Sequence, residues 1–184
     1  PLLIVTRGLQ ICPEMLTLAK KYDVTLVRSE EATSSLMSML ISYLNVQIAP
    51  RMTRHGVLVE VYGEGILILG ESGVGKSEAA IELLKRGHRL VADDTVLVKN
   101  NGEILVGYCP SKIKYYMEVR GIGIINVKNM FGPGAIRPEK TVELVIELVH
   151  WNELSDIDRL GDERQTTDIL GMNVPKLIIP VSPG

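Results

Sequence analysis

Short apolar runs of strand length, separated by polar stretches marked with glycine or proline, set the pattern of this chain. Leu2 to Thr6 reads as a buried strand. Pro13 opens the helical stretch PEMLTLAKKY, in the first turn, where its missing N–H costs nothing. VTLVRS is a second strand. Ser29 stands as the N-cap of EEATSSLMSMLISYLNVQIA, with Glu30 and Glu31 in the first turn, where the helix dipole favours acids. Leu36, Met39, Leu40 and Tyr43 recur there at the spacing of an amphipathic helix. Residues 1–48 therefore read β-α-β-α and carry no recognisable chemistry.

The texture changes after Pro50, which places a domain boundary near residues 48–52 and divides the chain into 1–48 and 49–184. VLVEVY, GEG and ILILG read as a hairpin whose second strand runs into a glycine-rich loop. Ser77 to Arg86 predicts a helix closed by Gly87 at its C′ position. HRLVADDTVLV reads as one strand interrupted by two acids, and NNG at 100–102 as a tight hairpin turn before EILVG. SKIKYYMEVRGIGIINV mixes apolar and charged residues. MFGPGAIRPEK is a loop by its glycine and proline density. TVELVIELVHW alternates, so that Val142, Leu144, Ile146 and Leu148 line one face of a strand. DIDRLGDERQT reads as a polar loop and KLIIPV as the last strand. The fold class that follows is α/β.

Composition narrows the function. Of 184 residues, 46% are hydrophobic but only 4% aromatic, so Leu, Ile and Val must build the core. The net charge of −2 argues against a general nucleic-acid binder. No apolar run approaches the roughly 20 residues that span a bilayer, and no secretory pattern is visible. Cys12 and Cys109 lie far apart without metal-ligand spacing, as inert thiols of a reducing compartment do. The expectation is a cytoplasmic protein without nucleic-acid or membrane partners. The abrupt PLLIVT and LIIPVSPG suggest a piece truncated at both ends.

The chemistry begins at residues 70–77, GESGVGKS, which match GxxxxGK[ST] between a strand and a helix. Gly70, Glu71, Ser72, Gly73, Val74 and Gly75 would let backbone N–H groups converge on phosphate oxygens at a helix N-terminus. Lys76 is placed to reach the β- and γ-phosphates of a nucleoside triphosphate, and the Ser77 hydroxyl to ligate Mg²⁺. Asp93 and Asp94 follow closely enough to lie beside the loop. One of them could face the phosphates, holding Mg²⁺ or taking a proton from a nucleophile, while the other is buried; the pattern does not choose between them. His55 reads as a structural histidine before a strand, Glu118 with Arg120 as a surface ion pair, and Arg159 as a solvated loop residue.

GESGVGKSEAAIELLKRGHRLVADD, MEVRGIGIINV and DRLG, with RHGVLVEVYGEGILILG and KLIIPVSPG, together resemble the bacterial HPr kinase/phosphorylase family over nearly the whole chain. The resemblance implies most of a C-terminal catalytic domain, similar to the nucleotide-binding core of phosphoenolpyruvate carboxykinase, preceded by the end of an N-terminal domain and lacking further C-terminal helices. It implies phosphorylation of a serine of the phosphocarrier protein HPr with ATP or pyrophosphate, and removal of that phosphate by phosphorolysis, which yields pyrophosphate. A homohexamer acting in carbon catabolite repression goes with it. By motif, Asp94 would be the proton acceptor and donor, with His55, Lys76 and Arg159 as further active-site residues. Ser77 and Glu118 would be Mg²⁺ ligands. Met117 to Asn126 overlays the stretch used in both reactions, and Pro180 to Gly184 the start of the one linked to dephosphorylation. A non-catalytic nucleotide sensor and a small-molecule kinase or carboxykinase remain as rivals. The paired acids count against the first, and the lack of a basic, metal-binding cluster against the carboxykinase.

Overall fold

A computed structural model describes residues 1–151 and 165–181, which form two compact units, Pro1–Ile48 and Ala49–Gly184. In the first, strands β1 (Leu2–Val5) and β2 (Thr25–Arg28) pair in parallel across helix α1 (Pro13–Lys21), and helix α2 (Thr33–Ile48) follows. Two expectations change here. Ser29 does not cap α2: its carbonyl accepts from Gly8 N–H and that of Glu31 from Arg7 N–H, which holds residues 29–31 as a connection. The helix therefore starts at Thr33, with neither glutamate in its first turn. The apolar face of α2 is also wider than expected. Met37, Ile41, Leu44, Val46 and Ile48 extend it until only a stripe of Ser34, Ser35, Ser38, Ser42 and Asn45 stays polar, none of the helix residues is buried, and Tyr43 is 62% exposed.

The second unit is built on a six-stranded sheet in the order β13-β14-β12-β5-β4-β6. Its strands are β4 (Val57–Val61), β5 (Glu64–Gly70), β6 (Arg89–Ala92), β12 (Leu144–His150), β13 (Gln165–Ile169) and β14 (Met172–Val181). β4 and β5 form the predicted hairpin. β12 runs parallel to both β5 and β14. A four-stranded antiparallel sheet, β11-β8-β7-β3, contains β3 (Arg51–His55), β7 (Thr95–Asn100), β8 (Leu105–Tyr108) and β11 (Glu139–Thr141). Helix α3 (Lys76–Lys85) leaves β5 through the glycine-rich loop, and its last turn closes where Gly87 N–H donates to the Leu84 carbonyl. A separate hairpin joins β9 (Tyr116–Val119) to β10 (Gly123–Asn126) and passes into the short helix α4 (Val127–Phe131).

Two apolar clusters sandwich the larger sheet. Val57, Val59, Ile68 and Leu148 pack with Ala80 and Leu84 of α3 and with Met117 and Val119 of β9. Leu58, Leu67 and Val145 pack with Val96, Val98 and Leu105 of the smaller sheet. The unbroken VLV of β4 follows from this, because a strand covered on both faces needs no alternation. It also corrects the single-face reading of TVELVIELVHW. Ile146 and Leu148 face the first cluster, whereas Val142, ahead of the strand, joins Val145 in the second. Leu58 is fully buried. Leu58→Ala should cost about 2–5 kcal/mol of unfolding free energy, read from urea denaturation at constant m-value. A loss within measurement error would contradict the two-sided core.

Other local readings are refined. The NNG turn spans four residues, because Asn100 still pairs with Leu105 and its side chain accepts from Gly102 N–H. MFGPGAIRPEK is not all loop: Asn126 Oδ1 accepts from Asn129 N–H and caps α4, which takes in Met130 and Phe131. The largest change concerns LVADDTVLV. It is two strands in two sheets, with the acids at the corner between them.

Candidate active site

That corner shapes the site. Besides the step from β11 to β12, the chain crosses between the two sheets at Gly56, between β3 and β4, and at Asp93–Asp94, between β6 and β7. The crossings are tied together by Gly56 N–H donating to the Asp94 carbonyl (3.1 Å). Gly56 has no room for a side chain, since a Cβ there would lie 2.5 Å from the Ile68 carbonyl oxygen. At the second crossing, Thr95 N–H donates to the Asp93 carbonyl (2.7 Å) around Asp94, whose φ is +62°. A three-residue turn with positive φ at a non-glycine centre is strained, and such strain concentrates at functional sites.

The tight corner sends the two carboxylates opposite ways, a split the sequence pattern assigned to strand pleating. Asp94 is exposed, and its Oδ1 lies 3.1 Å from His55 Nδ1, on the neighbouring crossing. Asp93 is 4% exposed. Its Oδ1 accepts from the Ser77 hydroxyl and its Oδ2 from Glu118 N–H, both at 3.1 Å. One buried carboxylate thus fastens the start of α3 to strand β9.

Burial pushes the Asp93 carboxyl above the ordinary carboxylate value, and the bonds from Glu118 and Ser77 oppose the shift. A carboxyl with a raised folded-state pKa is protonated in the folded protein while already ionised in the unfolded chain. The folded state then binds more protons, and stability falls as pH rises from the ordinary carboxylate value through the raised one. Asn cannot titrate. The unfolding free energy of Asp93→Asn minus that of the wild type should therefore rise between about pH 4 and neutrality, as read by urea denaturation at each pH. A difference that stays flat or falls would contradict the assignment.

The loop at residues 70–77 borders the same space. Lys76 is buried, and its Nζ donates to the carbonyls of Gly70 (2.9 Å) and Glu71 (2.7 Å), closing the loop on itself. Val74 turns into the core. Ser72, Gly73, Gly75, Lys76 and Ser77 line a cavity of about 360 Å³ together with His55, Asp93, Asp94, Glu118 and Arg120. The fold thus gathers His55, Lys76, Ser77, Asp94 and Glu118 from four separate stretches of chain. Gly70, Glu71 and Val74 support the loop without lining the cavity. Arg159 lies outside the described residues, as do residues 182–184 of the C-terminal motif.

The donor set also bears on a metal. No group of three or more His, Cys, Asp or Glu side chains forms a metal cage among the described residues. Mg²⁺ needs none, because it is usually held by one or two protein oxygens together with phosphates and water. The Ser77 hydroxyl and the Glu118 carboxylate, on one cavity wall with Asp93, fit an ion of that kind. The tethering role of Asp93 was not legible beforehand, and Arg120, part of the 117–126 stretch but read by itself as half of a surface ion pair, stands in the cavity wall.

The HPr Serine kinase C-terminal domain model matches residues 10–184. The HPr kinase/phosphorylase of Caldanaerobacter subterraneus subsp. tengcongensis is 51% identical over 100% of this chain and 61% of its own length. The enzyme of the same name from Caldicellulosiruptor bescii is 50% identical over 100% of this chain and 60% of its own length. The chain thus spans about three fifths of the length of these curated relatives. Among solved structures, the Hpr(Ser) kinase/phosphatase from Coxiella burnetii superposes with a TM-score of 0.68 at 40% identity, covering 72% of this chain and 81% of that one. Matched by the family from residue 10 to residue 184, the chain belongs to the HPr serine kinase C-terminal domain family.

Proposed function

We propose that the protein containing this chain transfers a phosphoryl group between ATP, or pyrophosphate, and a serine of HPr, and removes it again by phosphorolysis. The observation that carries the reading is the convergence of the His55–Asp94 pair with Lys76 and Ser77 of the loop in one cavity. A nucleotide sensor has no use for an exposed carboxylate held beside the phosphates. In this reading, 49–184 is a catalytic unit built on a P-loop core like that of phosphoenolpyruvate carboxykinase, and 1–48 ends an N-terminal domain. A cytoplasmic homohexamer acting in carbon catabolite repression, within the phosphotransferase system, is the accompanying proposal.

The residues would act as follows. Loop N–H groups and the start of α3 hold the phosphates, and Lys76 exchanges its carbonyl partners for phosphate oxygens. Ser77 and Glu118 would hold Mg²⁺, which supplies charge neutralisation along the phosphates when bound. Asp94 takes the proton from the HPr serine hydroxyl as the serine oxygen bonds to the terminal phosphorus. The bond to the departing diphosphate breaks, and its electron pair leaves with the bridging oxygen. His55 holds the Asp94 carboxylate in place. In reverse, inorganic phosphate attacks the phosphoserine, pyrophosphate forms, and protonated Asp94 returns its proton to the serine oxygen. Arg159, nominated by motif, is assigned to the same site by resemblance alone.

Mass spectrometry of HPr after incubation of the full-length protein with HPr, Mg²⁺ and ATP tests this reading. One added phosphate mapped to a serine is the expected result. Bound ATP with unmodified HPr would favour the sensor.

A further inference from the structure

The turn of the β9–β10 hairpin carries a charge that the scheme above leaves unused. Ile122 N–H donates to the Val119 carbonyl (3.1 Å), which closes a four-residue turn with Arg120 and Gly121 at its centre. Gly121 takes φ +79°, the conformation that a glycine in the third place of such a turn supplies. Arg120 precedes it, and its guanidinium lies directly on the phosphate loop. A Cβ built on Gly73 would come within 2.6 Å of Arg120 Nη2 and 3.6 Å of Nη1. The absent side chain of Gly73, whose φ is +83°, is what lets the guanidinium rest there.

Three further observations bear on what Arg120 does. It lines the cavity with Lys76, Ser77 and Asp94. Among the described residues it forms no ion pair, whereas Arg28, Arg89 and Arg137 each pair with a glutamate. The backbone that carries it is also anchored. Glu118, two residues earlier, is bonded through its N–H to buried Asp93, and Asp93 also holds Ser77 at the start of α3. The hairpin and the loop are thus fastened to one carboxylate. A solvated arginine needs no such tether and no glycine shaped to receive it.

A guanidinium with no ion-pair partner among the described residues, set against a phosphate loop, can take its counter-charge from the ligand. Its planar fork matches two phosphate oxygens in one fixed geometry, whereas the ammonium of Lys76 acts as a compact point charge. We propose that Arg120 is a phosphate ligand of this site, gripping oxygens of the bound triphosphate or pyrophosphate from the hairpin side while Lys76 approaches from α3. The inference rests on the phosphoryl-transfer reading above and adds a residue to it. Charge spreads over the oxygens of the transferred group during reaction, so the fork stabilises the transition state as well as the bound ligand.

The test uses the full-length protein with Arg120→Ala, Arg120→Lys and, as a control, Lys76→Ala. Calorimetry measures pyrophosphate affinity in the presence of Mg²⁺, and steady-state kinetics measures HPr phosphorylation. Arg120→Ala should weaken pyrophosphate binding and lower kcat/KM by about 10²-fold. Arg120→Lys should recover only a small part of the loss, because it lacks the fork. Wild-type affinity and turnover in a folded Arg120→Ala protein, with Lys76→Ala impaired, would overturn the inference and leave the phosphoryl-transfer reading standing. Unchanged pyrophosphate affinity in Lys76→Ala and Arg120→Ala alike would overturn both. Should the alanine variant not fold, Arg120→Lys decides: full activity in it rejects the two-oxygen grip, and a loss near that expected for alanine supports it.

Discussion

Asp94→Asn in the full-length protein lowers phosphoryl transfer to the HPr serine by about 10²–10⁴-fold, the usual worth of a positioned general base, and leaves ATP binding close to that of the wild type. The substitution isolates the proton step. Asn and Asp both tolerate the left-handed backbone region, so the corner with φ +62° at residue 94 is preserved. The amide can still bond to His55, but it cannot take the serine proton. Phosphorolysis should fall in parallel, since the same carboxyl must return that proton. Radiolabel transfer in each direction measures the two losses. A variant that retains both activities would remove Asp94 from the chemistry and shift attention to Asp93. Buried as it is and accepting from Ser77 and Glu118, Asp93 is placed to hold the site together rather than to meet a substrate.

Lys76→Met produces the second large effect, a fall of about 10³-fold in kcat/KM with ATP affinity weakened by about ten- to a hundredfold. Lys76 Nζ already sits over the loop through the Gly70 and Glu71 carbonyls, so little reorganisation is needed to meet a phosphate. Methionine keeps the buried stem and removes only the charge. The two variants therefore separate cleanly, Asp94→Asn through turnover at normal binding and Lys76→Met through binding and turnover together. Titration calorimetry alongside the kinetics checks the pattern. Normal ATP affinity in Lys76→Met would contradict the phosphate-loop assignment.

The loop was legible because its chemistry is local. A strand, a glycine-rich octapeptide and a helix in sequence leave little for tertiary structure to decide, and α3 begins within one residue of its expected start. The β4–β5 hairpin was legible for the same reason. The acidic pair was only half legible. Apolar residues on both sides of Asp93–Asp94 read as one strand, and only the partners β4 and β3, drawn from another part of the chain, show that β6 and β7 belong to different sheets. The split into one buried and one exposed acid held for a different reason, a tight corner instead of a pleat. Arg120 lay inside the stretch that the resemblance marked, Met117 to Asn126, but its own role was not read, because that role lies in a contact with Gly73, forty-seven positions away in the chain. Its one local sign was the RGIG spacing, which marks a turn but not what the turn faces. The helix α2 was under-read in the opposite way: four apolar positions marked one face, but Met37, Ile41, Leu44, Val46 and Ile48 widen that face until only a serine-rich stripe is polar.

The measurement closest to the central claim loads HPr with seryl phosphate using the full-length protein, Mg²⁺ and ATP, removes the nucleotide, and chases with inorganic phosphate while pyrophosphate is assayed. One cavity running the reaction in both directions predicts one pyrophosphate released per phosphoserine lost, with Asp94→Asn slow in both phases. Loss of phosphoserine without pyrophosphate would mean hydrolysis by water, and failure to load HPr at all would mean that the loop binds nucleotide without transferring its phosphate; either result would contradict the account.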